Sequence, residues 1–248
     1  MPTRTATPLI PTPDGRADAF AAFPEQDGPH PGVLMYPDAF GIRPVIQEMA
    51  RELAGHGYYV LVPNFFYRQG PSPVVELPKY IDDDARDGIV GQLMPLVRAH
   101  TAELTLRDAG AFVRFLTTRP EVAAGPVAVT GYCFGGLLAL RTASAHPGQV
   151  AAVAGFHGPV VAEGPDGLHR LLSAITAEVH LGHAASDLTP EALAELNRAL
   201  DAAGLTYTSE IYPGTVHGFT MSDTSAFDPD GLKRHWEQLL PLLDRALT

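Results

Sequence analysis

The chain has 248 residues, of which 46% are hydrophobic and 18% are charged, and this composition is typical of one folded globular domain rather than a disordered chain. Seventeen basic against 28 acidic side chains give a formal charge of −11. No cluster of Lys and Arg is interleaved with aromatic residues, so we expect no nucleic acid partner.

The N-terminal part of the sequence predicts an antiparallel edge followed by a parallel βαβ unit. Residues 5–23 contain two short strands around the turn Asp14-Gly15. The apolar run 33–36, stopped by a proline, predicts a buried strand, and 58–62 predicts another. Between them, apolar pairs recur every four residues over 44–55, which indicates an amphipathic helix.

The same alternation of strands and helices continues to the end of the chain. Strands are predicted at 126–130, 150–156, 179–182 and 207–212, and helices at about 109–116, 135–145, 190–203 and 229–247. Residues 67–97 are broken by prolines and predict a loop and a helix at about 80–92, an excursion suited to lining a pocket. We therefore expect an α/β fold over residues 1–248, with a mostly parallel central sheet and helices on both faces.

The strongest chemical signal is Gly131-Tyr132-Cys133-Phe134-Gly135-Gly136, which lies between a predicted strand and an Ala/Leu-rich helix. In a nucleophile elbow the central side chain sits on a strained turn that needs small neighbours, in front of a helix N-terminus. Positive potential there favours a thiolate, the reactive form of cysteine. We predict that Cys133 is a nucleophile rather than a small core residue.

A base and an acid are expected after the elbow, because such hydrolases carry nucleophile, acid and base in that order. His217 lies in a glycine-flanked loop after the last predicted parallel strand, where a base can reach back over the elbow. Asp187 is the only carboxylate between strand 179–182 and the helix that Thr189 caps, so it is the candidate acid. The alternative is that Asp187 only favours the start of that helix.

Four motifs make the chain resemble the dienelactone hydrolase family of α/β-hydrolases over nearly its whole length. They are Asp38-Ala39-Phe40-Gly41, Pro63-Asn64-Phe65-Phe66-Tyr67-Arg68, the cysteine elbow and His217-Gly218-Phe219. The pairing of a cysteine elbow with a distant His-Gly-Phe is specific. The resemblance implies one α/β-hydrolase domain and an ester or lactone hydrolase of the carboxymethylenebutenolidase type.

The resemblance also implies roles for individual residues. The implied triad and oxyanion hole consist of Cys133, His217, Asp187 and the N–H groups of Phe134 and Ala39. Asp38 holds the position of a carboxylate close to the resting thiol, where similar enzymes have Glu. The other residues expected in the pocket or behind it are Phe40, Tyr132, His157, Phe219 and Met221.

One departure from the family pattern concerns the acid. The family has its acid three residues after a glycine, but the residue three after Gly182 is Ala185, and Asp187 lies two positions further on. Either the loop is rearranged or the triad is incomplete. The identity of the acid is therefore open: either Asp187 is the acid, or Asp38 compensates for a missing one.

A second departure concerns the substrate. Members that cleave dienelactone bind their anionic substrate through an arginine four residues after the histidine, and that position here is Met221. An anionic lactone is therefore not expected. A second substrate-binding arginine falls in the divergent region 70–89, where Arg86 is a candidate without an assignment.

Three further histidines invite a ligand role. His157 ends a predicted core strand, where ligands gather in such sheets, so pocket-lining and structural roles are both open. His180 and His183 flank one strand, and their spacing does not let them converge with Asp187 on one ion. We predict no metal and no cofactor.

The sequence thus predicts hydrolysis of a small ester or lactone through a thioester at Cys133. Two alternatives use the same pocket: proton transfer in the isomerisation or cyclisation of a biosynthetic intermediate, or binding without catalysis. A lone cysteine favours a reducing compartment, so a cytoplasmic location is expected. We expect no membrane association, since no apolar run has the length of a span, and a monomer or a homodimer.

Overall fold

The computed structural model describes residues 1–158 and 168–247, which form a nine-stranded sheet with flanking helices. The strands are β1 Thr3–Ala6, β2 Leu9–Thr12, β3 Gly15–Pro24, β4 Gly32–Tyr36, β5 Tyr59–Pro63, β6 Val127–Tyr132, β7 Val150–Phe156, β8 Glu178–Ala184 and β9 Tyr207–Tyr212. The helices are α1 Pro44–Gly55, α2 Asp83–Ala99, α3 Ala102–Thr117, α4 Phe134–Ala145, α5 Leu168–Leu172, α6 Pro190–Ala202 and α7 Pro229–Leu247.

The sheet order is β1-β3-β5-β4-β6-β7-β8-β9, and β2 pairs with β3. Strands β5, β4, β6, β7, β8 and β9 are parallel to one another, whereas β3 runs antiparallel to β5 and to its partners β1 and β2. The predicted α/β fold class, with a mostly parallel sheet and an antiparallel N-terminal edge, is confirmed. None of the described helices is long and apolar enough to cross a membrane.

Apolar side chains are buried on both faces of the parallel part of the sheet. In β4, Val33 and Met35 pack in a cluster with α1 and α7, whereas Leu34 and Tyr36 pack in a cluster with α3 and α4. Burial on both faces explains why this strand is a continuous apolar run rather than an alternating one. A third, smaller cluster lies under α2 and is formed by Ile81, Ile89 and Leu93.

Side-chain caps mark the starts of several helices. Thr189 accepts a hydrogen bond from the N–H of Ala192 at 3.3 Å, as the sequence Thr-Pro-Glu predicts for α6. Asp82 caps α2 in the same way at 2.9 Å. Helix α2 continues to Ala99, past its predicted end near 92, and contains Pro95. Its last turns pack Leu96 and Val97 against the main core, which favours the longer helix.

The parallel strands place their carboxyl ends along one edge of the sheet. Tyr36 of β4 pairs with Gly131 of β6, and Tyr132 of β6 pairs with Phe156 of β7. Phe156 in turn pairs with Gly182 of β8. The segments that follow these strands contain the predicted site residues, so the fold brings them to the same edge.

Candidate active site

Cys133 forms the turn between β6 and α4, with φ 52° and ψ −125°, a conformation that side chains other than glycine rarely adopt. A Cβ on Gly131 would lie 2.0 Å from the carbonyl oxygen of Gly135. A Cβ on Gly135 would lie 2.3 Å from the carbonyl oxygen of Pro37. The turn therefore requires glycine at both positions. Without side chains there, β6 can be followed directly by α4, and α4 can begin close to the end of β4.

His217 lies between Asp187 and Cys133. Its Nδ1 donates to Oδ2 of Asp187 at 2.6 Å, and Cys133 is close enough to its ring to affect the pKa of His217. Burial lowers the pKa of His217, but the hydrogen bonds and negative charge of Asp187 and Cys133 outweigh burial and raise it to about 10. The three sequence-predicted catalytic residues thus form one connected set, and His217 holds a proton at neutral pH.

The loop after β8 reaches His217 by a route that the family spacing does not anticipate. The N–H of Asp187 donates to the carbonyl of Ala184 at 3.0 Å, which turns the loop back toward the β9 side. Ser186 accepts from the backbone N–H of His217 at 3.0 Å and donates to Oδ1 of Asp187 at 3.0 Å. Ala185 holds the position expected for the acid, and its N–H donates to the hydroxyl of Thr215 at 3.3 Å.

Asp38 has a different partner. Arg43 donates to both of its carboxylate oxygens, at 2.6 and 3.0 Å, and also to both oxygens of Asp223, at 2.6 and 3.2 Å. The side chains of Arg43 and Asp38 are only 4% and 7% exposed. The carboxylate that is hydrogen-bonded to the ring of His217 is that of Asp187 and not that of Asp38.

Two backbone N–H groups were expected to form an oxyanion hole. Phe134 is the first residue of α4, so its N–H has no acceptor within the helix. Ala39 lines the same cavity as Cys133, in the loop that begins with Asp38. That loop is fixed by the side chain of Asp38, which accepts from the N–H of Phe40 at 3.1 Å.

A cavity of about 190 Å³ opens beside Cys133. The described residues that line it are Asp38, Ala39, Phe40, Arg86, Val90, Leu93, Met94, Cys133, His157, His217, Gly218, Met221, Thr224 and Ala226. The sequence predicted half of this set from the motifs and strand ends. On the face of α2 that lines the cavity, Arg86 had been named only as a candidate without an assignment, and Val90, Leu93 and Met94 had not been identified, although the spacing of these four residues is typical of one side of a helix.

Tyr132 and Phe219 do not line this cavity, and of the two expected positions, in the pocket or behind it, they take the one behind it. The side chain of Tyr132 lies on the α7 side of the sheet, where its hydroxyl is 3.0 Å from Nε2 of His235, because residues alternate between faces along β6. Phe219 is fully buried, and its ring packs 5.1 Å from that of His157. Both residues support the site from behind.

His157 lines the cavity and is fully buried, in a left-handed conformation with φ 38°. Its Nε2 is 2.8 Å from the hydroxyl of Thr220, and its ring is 5.3 Å from that of His217. Burial, followed by the nearby charge of His217, lowers the pKa of His157 well below its usual value, so the ring is neutral. His157 is a neutral neighbour of the charged His217.

His180 and His183 lie on opposite faces of β8, because they are three positions apart on a strand. Nδ1 of His180 is 2.6 Å from the hydroxyl of Thr208, on the side away from Leu181. Among the described residues, no group of three or more His, Cys, Asp or Glu side chains is placed to hold a metal ion.

Most of the chain is similar to known proteins. The model of the dienelactone hydrolase family matches residues 17–247. Carboxymethylenebutenolidase 1 from Cupriavidus pinatubonensis is 28% identical over 216 residues, covering 86% of this chain and 85% of that protein.

Solved structures show the same fold. A dienelactone hydrolase-like promiscuous phosphotriesterase from metagenomic libraries superposes with a TM-score of 0.82 at 22% identity, over 99% of each chain. A dienelactone hydrolase from Anabaena variabilis superposes with a TM-score of 0.70 at 18% identity, also over 99% of each chain.

Proposed function

The chain belongs to the dienelactone hydrolase family, and on this premise we propose that it hydrolyses a small ester or lactone by nucleophilic catalysis at Cys133. The observation that carries the proposal is the position of His217, whose Nδ1 is hydrogen-bonded to Asp187 and whose pKa is raised by both Asp187 and Cys133. This is the order of contacts that a nucleophile, a base and an orienting acid require.

The first step forms a thioester. The thiolate of Cys133 attacks the carbonyl carbon of the substrate, and the carbonyl oxygen becomes an oxyanion that accepts from the N–H groups of Phe134 and Ala39. Each such donor is typically worth about 3 kcal/mol of barrier. When the tetrahedral intermediate collapses, the bond to the alkoxy oxygen breaks, and the protonated ring of His217 donates its proton to the leaving alkoxide.

The second step releases the acid. Neutral His217 takes a proton from a water molecule as that water attacks the thioester carbonyl. The C–S bond then breaks and the thiolate of Cys133 leaves, with the proton retained on His217. One water is consumed, and the ion pair of Cys133 and His217 is restored for the next turnover.

Asp187 orients the ring of His217 and stabilises its charged form. Asp38 is not suited to replace it, because both oxygens of Asp38 accept from Arg43. The two alternative functions, isomerisation or cyclisation and binding without catalysis, were supported by the absence of an acid at the position that the family pattern predicts, where this chain has Ala185. The hydrogen bond between Asp187 and His217 weakens that support and favours hydrolysis.

The test is turnover and trapping with 4-nitrophenyl acetate and a set of small lactones. We expect Cys133→Ala to lose on the order of a thousandfold or more in kcat/KM. We also expect wild-type protein, quenched with acid during turnover, to carry one acetyl group on Cys133 in its intact mass. Cys133→Ser keeps the shape of the site and serves as the matched control for folding. Undiminished turnover by Cys133→Ala would contradict the proposal.

A further inference from the structure

We propose that the substrate is an uncharged ester whose apolar group lies between helix α2 and the loop that follows His217. This inference rests on the proposed ester hydrolysis and adds to it the chemical class of the substrate. It is carried by the walls of the cavity, by the pairing of the charges that line it and by its size.

One wall is the inner face of α2. Val90, Leu93 and Met94 line the cavity from successive turns of this helix. Leu93 is almost fully buried and packs with Ile89 and Ile81 in the small cluster under α2, so it does not move independently of the helix. An apolar ligand group placed against this face would remove further hydrocarbon surface from water.

The facing wall comes from the loop after β9. Met221 and Ala226 are buried and line the same cavity, and Phe40, which packs against the small cluster under α2, lines it as well. Apolar side chains therefore surround the space that leads away from Cys133. Such a pocket favours an apolar substituent, whereas a carboxylate placed there would lose its hydration.

The charged groups of the lining already have protein partners. Asp38 is paired with Arg43, and His217 is paired with Asp187. His157 is neutral, since burial first and then the charge of His217 lower its pKa. Among the described lining residues, Arg86 is therefore the cation to which a carboxylate substrate would have to bind, and its Nη2 already donates to the backbone carbonyl of His217 at 3.0 Å.

The two walls are joined by main-chain hydrogen bonds. The N–H of Ile81 donates to the carbonyl of Asp223 at 2.8 Å, and the N–H of Ser225 donates to the carbonyl of Ile81 at 3.0 Å. The hydroxyl of Ser225 also donates to Asp83, in the first turn of α2, at 2.6 Å. The start of α2 is thereby fixed to the loop that contains Met221, so the pocket is formed before substrate arrives.

The cavity limits the size of the group. Its volume of about 190 Å³ is somewhat larger than the cavity of about 150 Å³ that accommodates benzene in an engineered protein core. An acyl chain of about five or six carbons fills such a space. A longer chain would have to leave the pocket.

Binding to Cys133→Ala tests the inference without requiring catalysis. The matched ligands are ethyl pentanoate and monoethyl glutarate, whose acyl chains have equal length and differ in a terminal methyl or carboxylate. Saturation-transfer NMR titrations should give affinities that rise about fourfold per methylene from ethyl acetate to ethyl pentanoate. Monoethyl glutarate should bind about tenfold more weakly than ethyl pentanoate.

Two variants locate the pocket. Met221→Arg and Met94→Glu each place a charge in the walls, so each should weaken ethyl pentanoate about tenfold or more and leave ethyl acetate nearly unchanged. Leu106→Glu, on the exposed part of α3, adds the same charge as Met94→Glu but outside the pocket, and serves as its control. Circular dichroism and the urea midpoint separate loss of binding from loss of fold.

The outcomes distinguish this inference from the proposed function. Affinity that is flat with chain length, or tighter binding of monoethyl glutarate that is lost in Arg86→Gln, would overturn the inference even if ester turnover depends on Cys133. Conversely, chain-length-dependent binding to a wild-type protein that hydrolyses none of these esters would uphold the pocket and sink the proposed function.

Discussion

Gly135 allows helix α4 to begin directly in front of β4. A Cβ at this position would meet the backbone oxygens of Pro37 and Tyr36 at 2.3 and 2.6 Å. Both atoms belong to main chain at the end of a buried strand, so neither can give way as a flexible side chain would. The turn at Cys133 can therefore lie this close to β4 only because residue 135 has no side chain.

We predict that Gly135→Ala destabilises the protein by about 3 kcal/mol or more, because the clash cannot be relieved without moving a strand. Gly88→Ala is the matched control: Gly88 is exposed in α2, and an added Cβ there meets nothing within 4 Å. That change should stabilise by about 0.5–1 kcal/mol. Urea unfolding of both variants measures the difference, and equal midpoints would refute the steric argument.

The charge state of His217 makes a prediction about pH. Burial lowers the pKa of His217, but Asp187 and Cys133 outweigh burial and raise this pKa to about 10. The protonated ring thus prevails at neutral pH and is lost as the pH rises through about 10. In Asp187→Asn the carboxylate is absent, so the pKa of His217 should fall by one unit or more toward its ordinary value.

Nitrogen-detected NMR of the imidazole ring, assigned with His217→Asn, measures this pKa directly. Ser186→Ala is the graded control, because it keeps the carboxylate and removes only the hydroxyl that donates to Oδ1 of Asp187. We expect a smaller shift for Ser186→Ala than for Asp187→Asn. An unchanged titration in Asp187→Asn would exclude the carboxylate as the cause.

Single residues differ in how well the sequence predicts them. Cys133 and His217 could be predicted because a strained turn and an ordered base loop leave local patterns of glycine. Asp187 was uncertain because its function depends on a loop conformation set by bonds to Thr215, which lies on another strand connection. Ser186 could not be predicted at all, since a serine next to an acid is common in loops.

At the scale of elements, Arg43 joins two loops of the site. It immediately precedes α1 but makes no cap to that helix; its guanidinium instead binds Asp38, in the loop with Ala39, and Asp223, in the loop after His217. The loop with Ala39 and the loop after His217 are thereby held by one buried side chain. The planar guanidinium of Arg can donate to two carboxylates at once, whereas the single ammonium group of Lys cannot reproduce this geometry.

We predict that Arg43→Met lowers kcat at least tenfold with a smaller change in KM, and destabilises the protein by about 3–5 kcal/mol, because it leaves buried carboxylates unpaired. Arg43→Lys should recover only part of each loss. The double variant Asp38→Asn/Arg43→Met removes the charge most deeply buried and should regain stability relative to Arg43→Met. Steady-state kinetics and urea unfolding test both effects, and additive losses in the double variant would contradict the coupling.

The elements were predicted with unequal accuracy. Strand β7 has the predicted bounds because it is a continuous apolar run, and β9 also has them although most of its residues are only half-buried, because glycine and proline flank it in the sequence. The prediction did not separate β1 from the strands that follow, since its four residues are mostly exposed and pair only through the main chain with β3. The end of α2 was placed too early because Pro95 suggested a break that packing overrides.

For the whole molecule, the sheet order could not be read from the sequence. The order β5-β4-β6 places β4 between strands that follow it in the chain, and this choice depends on pairing between distant segments. The position of the active site at one edge of the sheet followed from parallel strands alone, before the order was known. Site location was therefore more predictable than topology.

Buried histidines give the whole molecule its expected response to acid. Burial lowers the pKa of five of them: His100, His157, His180, His183 and His235. Each is neutral in the folded protein and ordinarily titrates near 6.5 when unfolded. The unfolded state therefore binds more protons below pH 6.5, so stability is fully present above that pH and is lost as the pH falls.

His183 is the best residue for measuring how much one buried histidine contributes to the loss of stability in acid. It is 3% exposed, neither ring nitrogen makes a hydrogen bond to a described residue, and burial lowers its pKa to about 4 although the charge of Asp187 opposes the shift. A shift of this size corresponds to on the order of 3 kcal/mol of stability lost between pH 7.5 and pH 4. Replacing the ring by an apolar side chain removes both the proton site and a buried polar group without a partner.

We therefore predict that His183→Leu is as stable as wild type or up to about 2 kcal/mol more stable at pH 7.5, and that its advantage grows as the pH falls toward 4. Urea unfolding at pH 7.5, 6.0, 5.0 and 4.5 measures both. His56→Gln, at an exposed helix end beside Glu52, is the control and should follow wild type at every pH. If the curves of His183→Leu and wild type fell in parallel, protonation of His183 would not contribute to acid unfolding, and the loss would belong to the other four buried histidines or to the carboxylates.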